Sequence, residues 1–393
     1  MIMYLGEIAI GYNTFLTEIS PHVKRIHITH TDMDGIGCAV IHKCASMVLS
    51  DVGCQSPLTT IYLSKPSKVN DTIIEAANTV IAQGFDREHD MLAFLITDLG
   101  GVKPATFDYI REELGVPCYY VVIDHHMSDV INFSGVIPIH SNDNNIIRGR
   151  GWYFTETSIC ATDILYNIVH DIYNSWKGEQ DLLNSKTYRI VMFLVESLHK
   201  FADAVNRYDT GHWGKWNVDK YTDICEEIML QMIYDTYSSD KRYDDAVDDI
   251  MKLMTAPDQC DELRAKYEQI VKEKFIELKE TYRYFVDHME DSDSNQMEFH
   301  VGDITVKAPI RVKYYEIKEK SQNIHFFSII SREILETRDD IDMLMVVNHL
   351  SQTVEIRSTG SIHNAGYLAK LNGGGGHFNA SGFPFPEDYK VKE

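Results

Sequence analysis

Residues 91–98, MLAFLITD, decide how the chain is read. The run up to Thr97 is too short for a typical helix. Its unbroken apolarity suits a strand buried on both faces, the pattern of a parallel sheet. It ends on Asp98, and a carboxylate there is costly unless it is paired, hydrogen-bonded or bound to a cation. Two other stretches repeat the design. VKRIHIT, 23–29, runs into HTDMDGIG, and CYYVVI, 118–123, runs into DHH. A further strand is expected at 58–63. Helical patterns over 35–49, 71–83 and 106–114 separate these runs, the second opened by the cap candidates Asn70 and Asp71. Strands separated by helices predict an α/β fold with a mostly parallel sheet. Ligands bind such sheets at the carboxyl ends of the strands.

Further along, 140–155 reads as a polar, glycine-containing loop, and 157–172 and 184–203 as helices. From 219 to 288 the pattern is almost wholly helical. HMEDSDSN, 288–295, reads as a linker. After it strand and helix return, with neighbouring strands at 343–349 and 353–358, a short helix at 363–371, and then GGGGH. The expected division is 1–210, a helical connector over 211–295, and a smaller α/β domain over 296–393. The helical middle can dimerise or simply space the lobes.

Composition narrows the function. The chain has 393 residues, 44% of them apolar and 24% charged, as in ordinary globular proteins. No apolar run approaches the ~18 residues of a membrane span. The start, MIMYLGEIAI, lacks a basic leader, so a signal peptide is not expected. Seven scattered cysteines without a C-x-x-C pair fit reduced, cytoplasmic thiols. Lys plus Arg is 37 against 59 Asp plus Glu, and 37 − 59 leaves −22. Such a surface repels polyanions at long range, so any nucleic-acid ligand is expected to be short, not a long duplex.

His30, Asp32 and Asp34 stand at i, i+2 and i+4, a spacing that in an extended segment points all three to one side. Gly35 and Gly37 then permit a tight entry into a helix. One Asp alone would more simply be a helix cap, but three metal-type ligands in five residues ask for more. Asp98 alone would also read as a cap. Of His125 and His126, adjacent and so facing opposite ways, one is expected to be a ligand and the other a neighbour of substrate. Asp124 can orient an imidazole. A last carboxylate is expected after residue 180. Asp203 has Arg207 four residues on, an ordinary helix ion pair. Asp209, at the break before Gly211, is freer. The ligand set is therefore His30, Asp32, Asp34, Asp98, His125 and Asp209, with Asp98 as the shared carboxylate. Four carboxylates match the charge of two divalent cations. The mixed oxygen and imidazole donors suit manganese, with cobalt, magnesium, iron or zinc as alternatives. Two such ions about 3.5–4 Å apart activate water and clamp a phosphoryl group.

IRSTG, 356–360, and NGGGGHFNASG, 372–382, form a second constellation. The glycines allow close approach and offer N–H groups. Arg357 and His377 add charge-assisted contacts to phosphate oxygens. Arg148 and Arg150 read as a solvated loop, and most of the 22 tyrosines as core.

Taken together, HTDMDG, the Asp of LITD, VIDHH, a later Asp and GGGGHFNASG resemble the DHH phosphoesterases that carry a DHHA1 domain. The order and the long helical middle are similar to the bacterial oligoribonucleases called nanoRNases. The match covers about residues 24–210 and 341–384. The resemblance implies two lobes across a cleft: a DHH lobe with two manganese ions and a DHHA1 lobe that binds the nucleotide. By position, His30, Asp32, Asp34, Asp98, His125 and Asp209 match metal ligands. His126 lies near the scissile phosphate, and Arg357, Gly374, Gly375 and His377 match substrate-binding positions. Asn379 departs from the family's paired alanines. The implied activity is hydrolysis of short RNA oligonucleotides or dinucleotides to mononucleotides, with Asp98 and His126 catalytic. Rival readings are a cyclic- or linear-dinucleotide signalling phosphodiesterase, an adenosine bisphosphate phosphatase, and a catalytically silent nucleotide sensor.

Overall fold

The computed structural model describes residues 2–17, 22–51, 59–126, 151–155, 158–177, 185–214, 217–220, 224–239, 241–255, 260–291, 295–301, 304–322, 326–359 and 364–385. The chain divides into two compact units. The first is Met1–Trp216 with Asp223–Val271, and the second is Asn217–Thr222 with Lys272–Glu393.

The first unit alternates as its sequence predicts. Its elements are α1 (Ile2–Thr17), β1 (Val23–His30), α2 (Met33–Asp51), β2 (Thr59–Ser64), α3 (Val69–Ala82), β3 (Met91–Thr97), α4 (Pro104–Glu112), β4 (Cys118–Asp124) and β5 (Gly151–Thr155). Helices α5 (Ala161–Lys177), α6 (Ser185–Asp209), α7 (Glu226–Ser239) and α8 (Tyr243–Thr255) follow, and α9 (Asp261–His288) runs from the first unit into the second. The five strands lie in the order β2-β1-β3-β4-β5, and every neighbouring pair is parallel. All seven residues of β3 and all seven of β4 are buried, which explains why neither shows polar alternation. On one face Ile26, Ile28, Phe94, Ile96 and Val122 pack under Val69 and Ile73 of α3 and Phe107 and Ile110 of α4. Each such side chain contributes about 1.5–3 kcal/mol of burial.

The strand order places the site. The order of strand addition reverses between β1 and β3, β2 lying to one side and β3 to β5 to the other, and the crevice at their carboxyl ends is the topological switch point where such sheets take ligands. His30 ends β1, and Asp98 follows β3 directly.

Residues 151–155 differ from the expected loop. Gly151–Thr155 is an edge strand, paired from Tyr120↔Gly151 to Asp124↔Thr155. Its apolar core is only Trp152, Tyr153 and Phe154, too brief to show a period of two against polar flanks. A Cβ at Gly151 would stand 2.0 Å from the ring of Tyr120, so β5 approaches β4 at a glycine. Residues 140–150 of the expected loop, with Arg148 and Arg150, lie outside the described residues.

The second unit holds β6 (Glu290–Asp291), β7 (Asn295–Val301), β8 (Ile304–Ile310), β9 (Val312–Ile317), α10 (Phe327–Thr337), β10 (Met343–Asn348), β11 (Thr353–Ser358), α11 (Ala365–Leu371), β12 (Gly375–Gly376) and β13 (Ala380–Pro384). Six strands are ordered β12-β13-β11-β10-β9-β6, and β7 pairs with β8 separately. Of the neighbours in the larger sheet, β9 and β10 run parallel and the others antiparallel. The stretch read as a linker carries β6, which pairs with β9. Among the described residues, no helix is long and apolar enough to cross a membrane.

Candidate metal centre

The extended reading of HTDMD does not hold. The chain leaves β1 at His30, bends through Thr31 and Asp32, and enters α2 at Met33. The three side chains therefore part company. His30 and Asp32 join Asp98, while Asp34 joins His125 and Asp209; within each trio the ligand atoms lie within 4.8 Å of one another. A third trio is Asp98, Asp124 and His126. All six expected ligands, with His126, thus meet at the ends of β1, β3 and β4 and the end of α6.

Local chemistry fixes each one. The Gly35 N–H donates to Asp32 Oδ1 at 3.0 Å, so Asp32 caps α2. Its other oxygen lies 2.6 Å from His30 Nδ1. Gly35 is needed for close approach, since a Cβ there would sit 2.4 Å from the His30 carbonyl oxygen. Asp34 caps a different helix. Its two carboxylate oxygens accept the N–H groups of Ala161 and Thr162, at 2.8 and 2.7 Å, at the start of α5. The Thr162 hydroxyl also donates to the Asp34 carbonyl at 2.6 Å. Two N–H groups at the start of α5 converge on this carboxylate, so α5 holds Asp34 aimed. Gly37 makes this possible: a Cβ there would lie 2.3 Å from Thr162 Oγ1.

Asp98 sits at the centre. Its φ of 54° is left-handed, which Asp tolerates better than most residues and which turns its side chain out of the strand. Its Oδ2 lies 3.6 Å from His30 Nδ1, and its Oδ1 lies 3.2 Å from His125 Nε2. His125 Nε2 is also 3.6 Å from Asp34 Oδ2, and its Nδ1 is 3.7 Å from Asp209 Oδ2. Asp98 is 1% exposed, and among the described residues neither of its oxygens accepts a hydrogen bond. Asp124 orients His126, with Oδ1 2.8 Å from Nδ1. Asp203 is engaged with Arg207, which also binds Glu227, so Asp209 is the carboxylate of this helix that reaches the cluster.

Electrostatics show what the cluster favours. Burial, with Asp32 and Asp34 nearby, pushes the Asp98 carboxyl well above the usual range. Burial lifts Asp209 to about 7 against the pull of His125. Burial opposes charge on His30, but Asp32 prevails and raises it to about 10. His125 is likewise raised against burial, by Asp209 and Asp34, and His126 by Asp124. Crowded carboxylates therefore hold protons or share them with imidazoles. Divalent cations would relieve both the repulsion and the unsatisfied oxygens of Asp98. The donors are carboxylate oxygens and imidazole nitrogens, which fit manganese and its neighbours.

Beneath the site runs a chain that the sequence did not reveal. His27 Nε2 lies 2.9 Å from Thr97 Oγ1, Thr97 donates to Thr29 at 2.8 Å, and Thr29 donates to the Gly35 carbonyl at 2.8 Å. His27 and Thr29 alternate with Ile26 and Ile28 on β1, Thr97 closes the apolar run of β3, and a buried Thr looks like any β-former. The backbone N–H groups of Ala161 and Thr162 left no signal either.

In the second unit, Arg357 of β11 is register partner to Ala380, which sets it beside the glycine motif. Its guanidinium lies 5.2 Å from the centre of the Phe327 ring and donates to Ser328 Oγ at 2.8 Å. Gly373 and Gly376 have φ of 77° and 135°. A Cβ at Gly374 would meet the Gly382 carbonyl oxygen at 2.1 Å, whereas Gly375 faces open space. The His377 N–H donates to the Ala380 carbonyl at 2.7 Å.

Solved structures with similar folds exist. One is the DHH domain of a member of the s1p family of ribosomal proteins, 14% identical, covering 98% of this chain and 85% of that one, with a TM-score of 0.57. Another is RecJ in complex with Mn2+ from Thermus thermophilus, 14% identical, TM-score 0.47, of which this chain spans about half, 52%, while 98% of this chain is covered. A third is a pGpG-specific phosphodiesterase from Vibrio cholerae, 13% identical, covering 93% and 94% of the two chains, with a TM-score of 0.42. No protein-family model matches the sequence, and no curated protein does. The likeness to the first of these structures shows the fold, that of a DHH domain.

Proposed function

We propose that this chain is a metal-dependent phosphodiesterase that hydrolyses short RNA oligonucleotides or dinucleotides to mononucleotides. The observation that carries the reading is Asp98: a buried carboxylate with one oxygen toward His30 and the other toward His125, neither accepting a hydrogen bond among the described residues. The two imidazoles offset part of the cost of burying this group, and cations at the site would satisfy both of its oxygens. His30, Asp32 and Asp98 would hold one ion, and Asp34, His125 and Asp209 the other, with Asp98 between them. When bound, the ions supply Lewis acidity and lower the pKa of water.

The side chains do the rest. Asp34, held by α5, and Asp32, held by Gly35, present their carboxylates without reorganisation. His126, oriented by Asp124, is raised toward its charged form and can neutralise charge that develops on a phosphoryl oxygen. Arg357, Gly374, Gly375 and His377, in the second unit, are proposed as substrate-binding residues. A net charge of −22 disfavours long polyanions and supports a short ligand.

The test is a length series of RNA, from dinucleotides to long strands, with manganese added or chelated. The expected result is metal-dependent release of mononucleotides, fastest from the shortest substrates. Cyclic dinucleotides and adenosine bisphosphate belong in the same panel. Faster cleavage of either would reassign the substrate. Tight dinucleotide binding without turnover in manganese would make the protein a sensor.

A further inference from the structure

The helices after α6 had no role in the site as read from the sequence. Tyr234 gives them one. It lies on α7, is 5% exposed, and donates its hydroxyl hydrogen to the backbone carbonyl of Thr31. Thr31 stands between His30 and Asp32, and its carbonyl belongs to the peptide plane that leads into Asp32. The planar peptide carries the Asp32 N–Cα bond with it, so holding this oxygen sets that bond's direction, and the entry into α2 at Met33 sets the rest of the Asp32 backbone. The hydrogen bonds of Asp32 with Gly35, Ile36 and His30 are local, and Asp98 meets it across the cluster. Tyr234 is 203 residues away in sequence from the atom it holds. A salt bridge from Lys43 of α2 to Asp248 of α8 ties the same helix layer to the helix that Asp32 caps.

We infer that Tyr234 is a positioning residue for the metal centre, through which α7 fixes the His30–Asp32 bend and sets the affinity of the ion held by His30, Asp32 and Asp98. This inference rests on the metal-centre reading proposed above. The other trio does not use the Tyr234 bond: α5 holds Asp34, His125 follows β4, and Asp209 ends α6, which Arg207 ties to Glu227 of α7 independently. The effect should therefore fall on one of two ions.

Calorimetric titration of the full-length, metal-free protein with Mn2+ tests it. The variant Tyr234→Phe keeps the ring and loses only the donor. Tyr237→Phe is the matched control, since Tyr237 lies on the same helix, 1% exposed, and donates to Asp249 away from the bend. The expected result is two ions in the unmodified protein. In Tyr234→Phe one should bind roughly three- to tenfold more weakly, as for one lost neutral hydrogen bond, with the other unchanged. Tyr237→Phe should lower the melting temperature and leave both affinities alone. Equal affinities in Tyr234→Phe and the unmodified protein would overturn the inference, as would equal weakening by Tyr237→Phe. Uptake of no ion by the unmodified protein would instead overturn the metal-centre reading itself. A measurement without a variant completes the test: in the NMR spectrum of tyrosine-labelled protein, the Tyr234 hydroxyl proton should exchange slowly with water. Fast exchange would rule out the bond.

Discussion

The two units solve the problem of presenting polar groups in opposite ways. In the first, side chains carry the chemistry at the ends of parallel strands, and carboxylates are buried where they repel one another. Local structure then holds each in place: a helix N-terminus at Asp34, a cap at Asp32, a left-handed φ at Asp98. In the second, a mostly antiparallel sheet brings backbone close to backbone, and glycines admit conformations and approaches that a Cβ forbids. The difference teaches where each is fragile. The first should respond to removal of charge, the second to addition of a methyl group.

The largest expected effect comes from breaking the first pattern at its centre. Asp98→Ala should reduce hydrolysis by at least about a thousandfold, measured as kcat in manganese, because it removes the shared carboxylate. The same change should raise the melting temperature of the metal-free protein, since one of several mutually repelling buried carboxylates is gone. Retained turnover would sink the two-ion assignment.

Acid should expose the floor of the same unit next. Burial, with Arg25 nearby, lowers His42 to about 3, and burial, with His42 nearby, lowers His27 well below its ordinary value. A folded-state pKa below the unfolded one means that the unfolded chain binds the proton first. The contribution of these two histidines is therefore full above about 6.5, the ordinary histidine value, and is lost as pH drops toward about 3. Urea midpoints between neutral and acid pH should show this loss, and His42→Gln should reduce it.

The glycine motif gives a finer contrast. Gly374→Ala puts a methyl group against the Gly382 carbonyl and should cost about 1–3 kcal/mol in urea unfolding. Gly375→Ala, in open space, should change stability by less than about 0.5 kcal/mol, so any rise in KM reports on substrate alone. The smallest effect expected is from Arg357→Lys, which keeps the charge but loses the planar fork over Phe327. KM should rise several-fold with kcat unchanged.

Much of this was open to reading in the chain. Apolar runs that end in Asp and His marked β1, β3 and β4, because a strand buried on both faces admits polar groups only where it stops. The i, i+4 pull of Arg207 on Asp203 and the break before Gly211 likewise singled out Asp209. The division of His30 and Asp32 from Asp34 was hidden, because an extended register and a bend into a helix share the same spacing. Strand β5 was hidden by its brevity and its polar flanks.

The linear order of residues therefore determined which chemical groups this protein owns and that several must converge, since burial and periodicity are written in local sequence. What only the folded chain decided is which group serves which partner: Asp34 on α5, Asp124 on His126, Tyr234 on Thr31. Those pairings depend on where a backbone turns and which distant N–H, carbonyl or hydroxyl arrives there, and hydrogen-bond geometry of that kind is set by packing in three dimensions.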